Sequence, residues 1–573
     1  DRRPGPEPVY EFHALFRDFL RMRARATLGT DALEHLVTRT ADALDVARDV
    51  DSATDLRLGH GQLHAACRVI LAEAGSQLRD GRRRTLLRWI DALPDAVRDT
   101  EPWIVYWQGR ARLQTEPEAG TRILERALQL FRERDDAAGS LDCLATLVGG
   151  AFLGFHALEA MDRWIDEFLD EIEQAPGTMP AEFELRVRGV LCMALFHTRP
   201  WSGATEPAYR RVEELLPRCA DETVALAAAM GALVVSGLSG DFERGDRIAA
   251  LAIGLASRDT ASPSEAAWCF AQVGWLRFME ARYEEAIESL DAGAAIARAN
   301  GLATVLRSTL LWRFTVIWRM HQHAAAQATL TAADAMPRSN QPMCEAQFLL
   351  FKARLAGDHG QVEESVRLAL LAREWSLRTG SRLQEVIFGL SGSDILLRAH
   401  RPDAAAPLLA HVRTIIDRTP IYRCYRAVIR LMEARLAEVQ GQRERALATL
   451  SLALAEAHED HARYYLRFAD WSMAPLFCLA LERGMDVELV RDVIRLLRLV
   501  PPPDAPDNWP WPVHIVTLGR FDVQVNGASL AFHRKLPRKT LLLLKAIIAS
   551  GGRDVPDVAL CEALWGDDDG DAA

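Results

Sequence analysis

Small residues recur about every 40 positions through the second half of this chain, at Gly245, Ala286, Ala326, Ser365, Ala405 and Ala446. Four positions after each stand Ala249, Leu290, Leu330, Ala369, Leu409 and Leu450. A spacing of four residues places both members of each couple on one helical face. The small residue lets a neighbouring helix approach, and the larger one fills the gap toward the next repeat. A chain patterned in this way folds as a stack of helix pairs, because one pair alone cannot bury its apolar side.

The segments around these positions fit that reading. Most of the stretch from Ala32 to Leu499 is rich in Ala, Leu, Arg and Glu, all strong helix formers. Short breaks fall at Gly75, Asp80-Gly81, Pro94, Pro176-Gly177 and Ser239-Gly240-Asp241. Turns such as Gly240-Asp241-Phe242, Ala281-Arg282-Tyr283 and Gly441-Gln442 precede the small residues. One repeat is fuller: Phe270, Val273, Gly274, Tyr283, Ala286 and Leu290 fall at offsets similar to those of tetratricopeptide repeats. The first half of the chain has less regular spacing. Replacing Ala286 by a bulkier residue is expected to overpack an intrapair contact.

The helical pattern stops at a run of prolines. Pro501-Pro502-Pro503 and the following Asp504-Ala505-Pro506-Asp507-Asn508-Trp509-Pro510-Trp511-Pro512 read as an extended linker. Trp509 and Trp511 either anchor the linker by packing or form a recognition peptide. Beyond it, Val513, Ile515 and Thr517, then Phe521, Val523 and Val525, alternate with polar or small residues as strands do. Asn526-Gly527 suits a tight hairpin, after which Leu530 and Phe532 resume a strand. Pro537 can start an apolar helix over 541–548, and Gly551-Gly552 ends it. Arg553 to Val555 reads as a short extended piece, followed by a helix through Leu560, Ala563, Leu564 and Trp565.

Leu518, Gly519, Phe521, Val523, Gly527, Arg538, Lys539, Leu543, Leu544, Val555, Leu560, Leu564 and Trp565 carry a pattern that resembles the opening of a winged-helix domain. The resemblance is to the bacterial transcriptional activator type, and Ile547 departs from it mildly by replacing a Leu. At the other end Tyr10, His13, Leu15, Phe16, Arg17, Phe19 and Leu20 resemble a motif that closes the nucleotide-binding module of MalT-like (STAND-class) signal-transduction ATPases. His13 itself reads as a packing residue. The expected fold class is mainly α: a tetratricopeptide-like helical-repeat superhelix followed by a truncated α+β winged-helix domain. The expected organisation is 1–30, tail of an upstream winged-helix element; 31–239, irregular helical repeats; 240–499, repeats of about 40 residues; 500–512, linker; and 513–573, the start of a DNA-binding domain.

The resemblance implies a fragment of a bacterial transcriptional regulator. DNA is then bound by the complete C-terminal domain, ATP by an upstream domain, and an inducer or regulatory protein by the repeats, with self-association open. The recognition helix would follow the last residues, so weak DNA binding without sequence preference is expected of these 573 residues. The competing expectation is a cytosolic protein-interaction scaffold without DNA binding. On architecture, the recognition surface is expected on the concave face between about Gly240 and Leu450.

Chemistry in the residues themselves is sparse. No phosphate-binding GxxxxGK[ST] loop or GxSxG nucleophile elbow is present, so no catalytic residue, metal or cofactor is expected within the chain. His60 and His64 in HGQLH stand four apart, as on one helical face, but Gly61 replaces a zincin glutamate and no third ligand is evident. His321-Gln322-His323 reads as turn surface. Arg534, Lys535, Arg538 and Lys539 form the one basic cluster that stands out, at a helix start where they oppose the macrodipole. They are candidates for phosphate contact. A solvated face, or pairing with Asp567-Asp568-Asp569, is the plainer alternative. A formal charge of -11 argues against a broad nucleic-acid surface. Nine cysteines far apart and without CxxC suit free thiols in a reducing cytoplasm. No run of 18 apolar residues is evident, so no membrane span is expected.

Overall fold

A computed structural model describes residues 2–3, 9–10, 13–79, 81–113, 115–154, 158–174, 179–258, 260–336, 342–458, 462–525, 527–530, 538–552 and 554–565. The chain divides into two compact units, Asp1–Pro502 and Pro503–Ala573.

The first unit is built from helix pairs. Six regular pairs run in order: Glu222–Ser239 with Phe242–Ala256, Pro263–Met279 with Tyr283–Ala299, Ala303–Arg319 with His323–Asp334, Pro342–Asp358 with Val362–Leu377, Arg382–Arg398 with Pro402–Asp417, and Arg426–Val439 with Arg443–Ala457. Less evenly spaced pairs precede them, among them Pro102–Leu113 with Pro117–Glu133 and Ala181–Thr198 with Thr205–Leu215. Every small residue of the 40-residue pattern is buried: Ala286, Ala326, Ala405 and Ala446 have no exposed surface, and Gly245 and Ser365 are enclosed. Their partners Ala249, Leu290, Leu330, Ala369, Leu409 and Leu450 are buried as well.

The turn within each pair repeats a backbone feature. Gly240, Ala281, His321, Gly360, His400 and Gly441 all have positive φ and follow the first helix. A left-handed residue reverses the chain and closes the helix end. Three of the six positions use a residue with a Cβ, so the shape of the repeat, and not glycine alone, imposes the conformation. Asp241 then caps the next helix by accepting from the Arg244 amide at 3.2 Å.

First and second helices differ in burial because they occupy different layers. Arg382–Arg398 is buried almost continuously from Leu383 to Leu397. Its mate Pro402–Asp417 buries one stripe, Ala405, Leu408, Leu409, Val412 and Ile416. Close packing within a pair depends on backbone approach: a Cβ at Gly274 would lie 2.6 Å from Leu290 Cγ and 3.0 Å from the Ala286 oxygen. Among the described residues, helix Glu222–Ser239 is long and apolar enough by length and composition to cross a membrane. Its apolar residues, from Ala225 to Leu238, are largely enclosed in the stack.

The second unit holds three antiparallel strands, Val513–Val516, Asp522–Val525 and Ala528–Ser529, in that order in the sheet. Val513 pairs with Val525 and Val516 with Asp522, and Gly527 has a φ of 82° in the hairpin. Helices Arg538–Ala549 and Asp557–Trp565 follow. Arg553 lies outside the described residues, and Asp554 and Val555 form no strand. Of the two linker tryptophans Trp509 is buried and Trp511 partly buried, and Val523 is the strand residue most enclosed.

Candidate functional site

The first helices gather their C-terminal ends around a later piece of the chain. Two short 3-10 segments, Pro420–Tyr425 and Ala462–Ala469, interrupt the repeat pattern. The Tyr422 hydroxyl donates to the Phe196 carbonyl at 2.9 Å, and the Tyr465 hydroxyl to that of Gly237 at 2.7 Å. Arg467 donates to the carbonyls of Phe278 and, at 2.9 Å, Met279. All four carbonyls lie in the last turn of a first helix, where no intrahelical donor remains. A guanidinium there also complements the negative end of the helix dipole.

Charged groups extend the contact to three more first helices. Asp470 pairs with Arg319 and lies 3.6 Å from Arg354. Asp394 accepts from the Ser472 amide at 3.0 Å and from its hydroxyl at 2.6 Å. Burial lowers the pKa of both Arg319 and Arg354 to about 10, and it pushes the Tyr465 phenol well above its ordinary value. The arginines still carry charge at neutral pH and need the Asp470 carboxylate. Aromatic packing completes the fit: Tyr465 lies 5.0 Å from Tyr425, and Phe242 stacks on Tyr465 at 6.4 Å.

A ring closure accompanies this filling. His197, near the end of helix Ala181–Thr198, meets the Ser381 hydroxyl at 3.1 Å across 184 positions of sequence. The chain therefore winds until its fifth regular pair touches the first helix of the pair that precedes the regular six. Burial lowers the His197 pKa to about 3, so the imidazole is neutral.

The first-helix face between about Gly240 and Leu450, where the recognition surface is expected, is thus partly covered by the chain itself. One row that stays only partly buried runs along most of helix Pro263–Met279. On Pro263–Met279, Glu265, Trp268, Gln272 and Trp275 share a face distinct from the Ala267, Ala271 and Gly274 row that meets the pair mate. All four are only partly buried. Trp312 of the next pair sits 6.1 Å from Trp268 and 5.7 Å from Trp275. The Glu265 Oε2 and Gln272 Oε1 atoms are shielded from solvent and accept no hydrogen bond among the described residues. A separate groove of about 240 Å³ lies near Gln327, Asp334, Lys352, His359, Gln361 and Glu364.

Other sequence candidates do not converge. Arg534 and Lys535 lie outside the described residues, as do Asp567, Asp568 and Asp569. Arg538 and Lys539 open helix Arg538–Ala549, but their side chains also lie outside that description. His60 and His64 do not share a helix: His60 caps Val50–Gly59, Gly61 turns the chain with a φ of 72°, and His64 belongs to Leu63–Arg79. His321 is in a turn, as expected, and its Nε2 meets the Arg498 carbonyl at 2.6 Å. Among the described residues no group of three His, Cys, Asp or Glu side chains could hold a metal ion. Leu15 and Phe16 of helix Ala14–Thr27 are exposed.

Sequence reasoning missed the filling segments. A signal was present, since Tyr422-Arg423-Cys424-Tyr425 and Tyr464-Tyr465-Leu466-Arg467-Phe468 break an Ala/Leu background, and Tyr425 and Tyr465 are 40 residues apart.

This architecture defines a tetratricopeptide-like helical-repeat superhelix, mainly α, with a small three-stranded sheet in its C-terminal unit. No family model matches the chain, and no curated protein is significantly similar in sequence. Among solved structures, the chain is similar to Rap protein complexed with competence and sporulation factor, at 10% identity and a TM-score of 0.47, over 63% of this chain and 98% of that one. Human IFIT1 dimer with m7Gppp-AAAA gives 12% identity and a TM-score of 0.38, over 73% and 91%. Yeast Tom70 gives 11% identity and a TM-score of 0.31, over 81% and 99%.

Proposed function

We propose that the chain is a non-enzymatic protein-interaction scaffold whose helical repeats hold a partner polypeptide. The observation that carries this reading is the uncovered part of the first-helix face, where Trp268 and Trp275 stay half-buried although the neighbouring surface is filled by the chain itself. Large aromatic side chains left at a concave surface supply contact area at low entropic cost. A cytoplasmic setting suits the nine free cysteines, six of them buried. A photo-reactive residue at position 272 tests the reading in cells. It should crosslink one recurring polypeptide, and the same residue at exposed Glu288 should not. Equal labelling at both positions would remove the reading.

A second reading is favoured by the element order in the C-terminal unit, three antiparallel strands and then two helices. In it the chain is part of a bacterial transcriptional regulator. Arg534, Lys535, Arg538 and Lys539 contact DNA phosphates, ATP binds an upstream domain, and the partner on the repeats is an inducer or a regulatory protein. Salt-dependent DNA binding separates the two readings.

A further inference from the structure

The face carrying Glu265, Trp268, Gln272 and Trp275 has a chemistry narrower than contact area alone. Glu265 stands three residues after Ser262, the position from which a glutamate can reach back to the N-cap amide. No such bond joins them among the described residues, and no cation pairs with Glu265 there. Its neighbours along the face are two indoles whose π surfaces favour a positive charge. Trp312, itself buried, packs against both and holds them in place. Gln272 adds a carbonyl oxygen that lacks a donor. Both acceptors lack a donor among the described residues, and a cation or N–H group that meets the face with a turn of these two side chains supplies one.

We propose that this row binds an extended peptide segment bearing a lysine or arginine side chain. The cationic head meets Glu265 and the indole faces, and a main-chain N–H of the peptide donates to Gln272. From Glu265 to Trp275 the helix rises about 15 Å, the reach of about four to five extended residues. The inference rests on the scaffold reading and names the chemistry of its partner.

Fluorine NMR of the whole chain labelled with 5-fluorotryptophan provides the test, with signals assigned by W268F, W275F and W312F. The probes are acetyl-Gly-Gly-Arg-Gly-Gly-amide, its lysine and norleucine counterparts, and spermidine as a free cation. The arginine and lysine peptides should shift the three signals saturably, and the norleucine peptide should not. E265Q should weaken that binding at least about tenfold while the other tryptophan signals stay in place. Equal response to norleucine, no change in E265Q, or no shift at millimolar peptide would each overturn the proposal, the last being the result if ordered water satisfies both acceptors. Spermidine binding as well as the peptides would overturn the peptide assignment. A protein captured at position 272 whose crosslink survives E265Q would overturn the cation chemistry and leave the scaffold reading in place. Cationic-peptide binding with no captured protein would do the reverse.

Discussion

The Tyr465 hydroxyl donates to the main-chain carbonyl of Gly237 at 2.7 Å, across 228 positions of sequence. It closes the C-terminal end of one first helix with a side chain from the segment packed between several of them. Tyr425, 5.0 Å away ring to ring, is equally enclosed, but its hydroxyl has no partner among the described residues. The two tyrosines should therefore respond oppositely to loss of the hydroxyl. Tyr465→Phe leaves a buried carbonyl without its donor and should cost about 1–2 kcal/mol. Tyr425→Phe should be neutral or stabilising by up to about 1 kcal/mol. Urea denaturation of both variants checks this, and equal losses would contradict it.

Glycine substitutions separate packing from backbone entropy. Gly274→Ala pushes a methyl against Leu290 and the Ala286 carbonyl, and should destabilise by about 1–3 kcal/mol. Gly254 is exposed within helix Phe242–Ala256, with nothing within 4 Å of an added Cβ. Gly254→Ala should stabilise by about 0.5–1 kcal/mol. The same denaturation series reads both signs, and a stabilising Gly274→Ala would show that the pair is looser than described.

Stability should fall in mild acid through His197. Its folded pKa is about 3, below the ordinary value of 6.5, because burial disfavours the charged imidazolium. A depressed histidine has no effect above pH 6.5, where both states are neutral. Below that the unfolded chain takes the proton first, so stability declines until the folded pKa is reached. Moving from pH 7 to pH 5 should cost about 2 kcal/mol through this one group. His197→Gln should remove that part of the slope, and an unchanged slope would count against a buried neutral imidazole.

The repeat was legible because small residues at helix contacts have few substitutes. Ala286, Ala326, Ala405 and Ala446 mark the pairs in the sequence, and all are fully buried. What fills the concave side was not legible. Tyr465 and Gly237, or Asp470 and Arg319, are brought together only by the winding of the whole stack, to which a local period is blind. Asp470 alone reads as an acidic residue like any other on a solenoid. The two histidines of HGQLH misled for the opposite reason: a spacing of four implies one face only if the helix continues, and Gly61 breaks it. The Glu265, Trp268, Gln272, Trp275 row was present in the sequence, but which helical face remains open depends on where residues 420–498 lie.

The DNA reading has its own consequence. If Arg538 and Lys539 contact phosphates, replacing both with alanine should lower the slope of log affinity against log salt by about 1.8, or about 0.9 for each contact. Fluorescence anisotropy of a labelled duplex over a salt series measures it. No binding at low salt, or an unchanged slope, would leave the scaffold reading alone.

The central structural claim is that the chain occupies part of its own concave face. A double-mutant cycle on Asp394 and Ser472, 78 residues apart and joined by two hydrogen bonds, tests it most directly. Asp394→Ala, Ser472→Ala and the double variant should show a coupling of about 0.5–3 kcal/mol in denaturation free energy. Additive effects, with coupling indistinguishable from zero, would contradict the placement of residues 462–482 among the first helices.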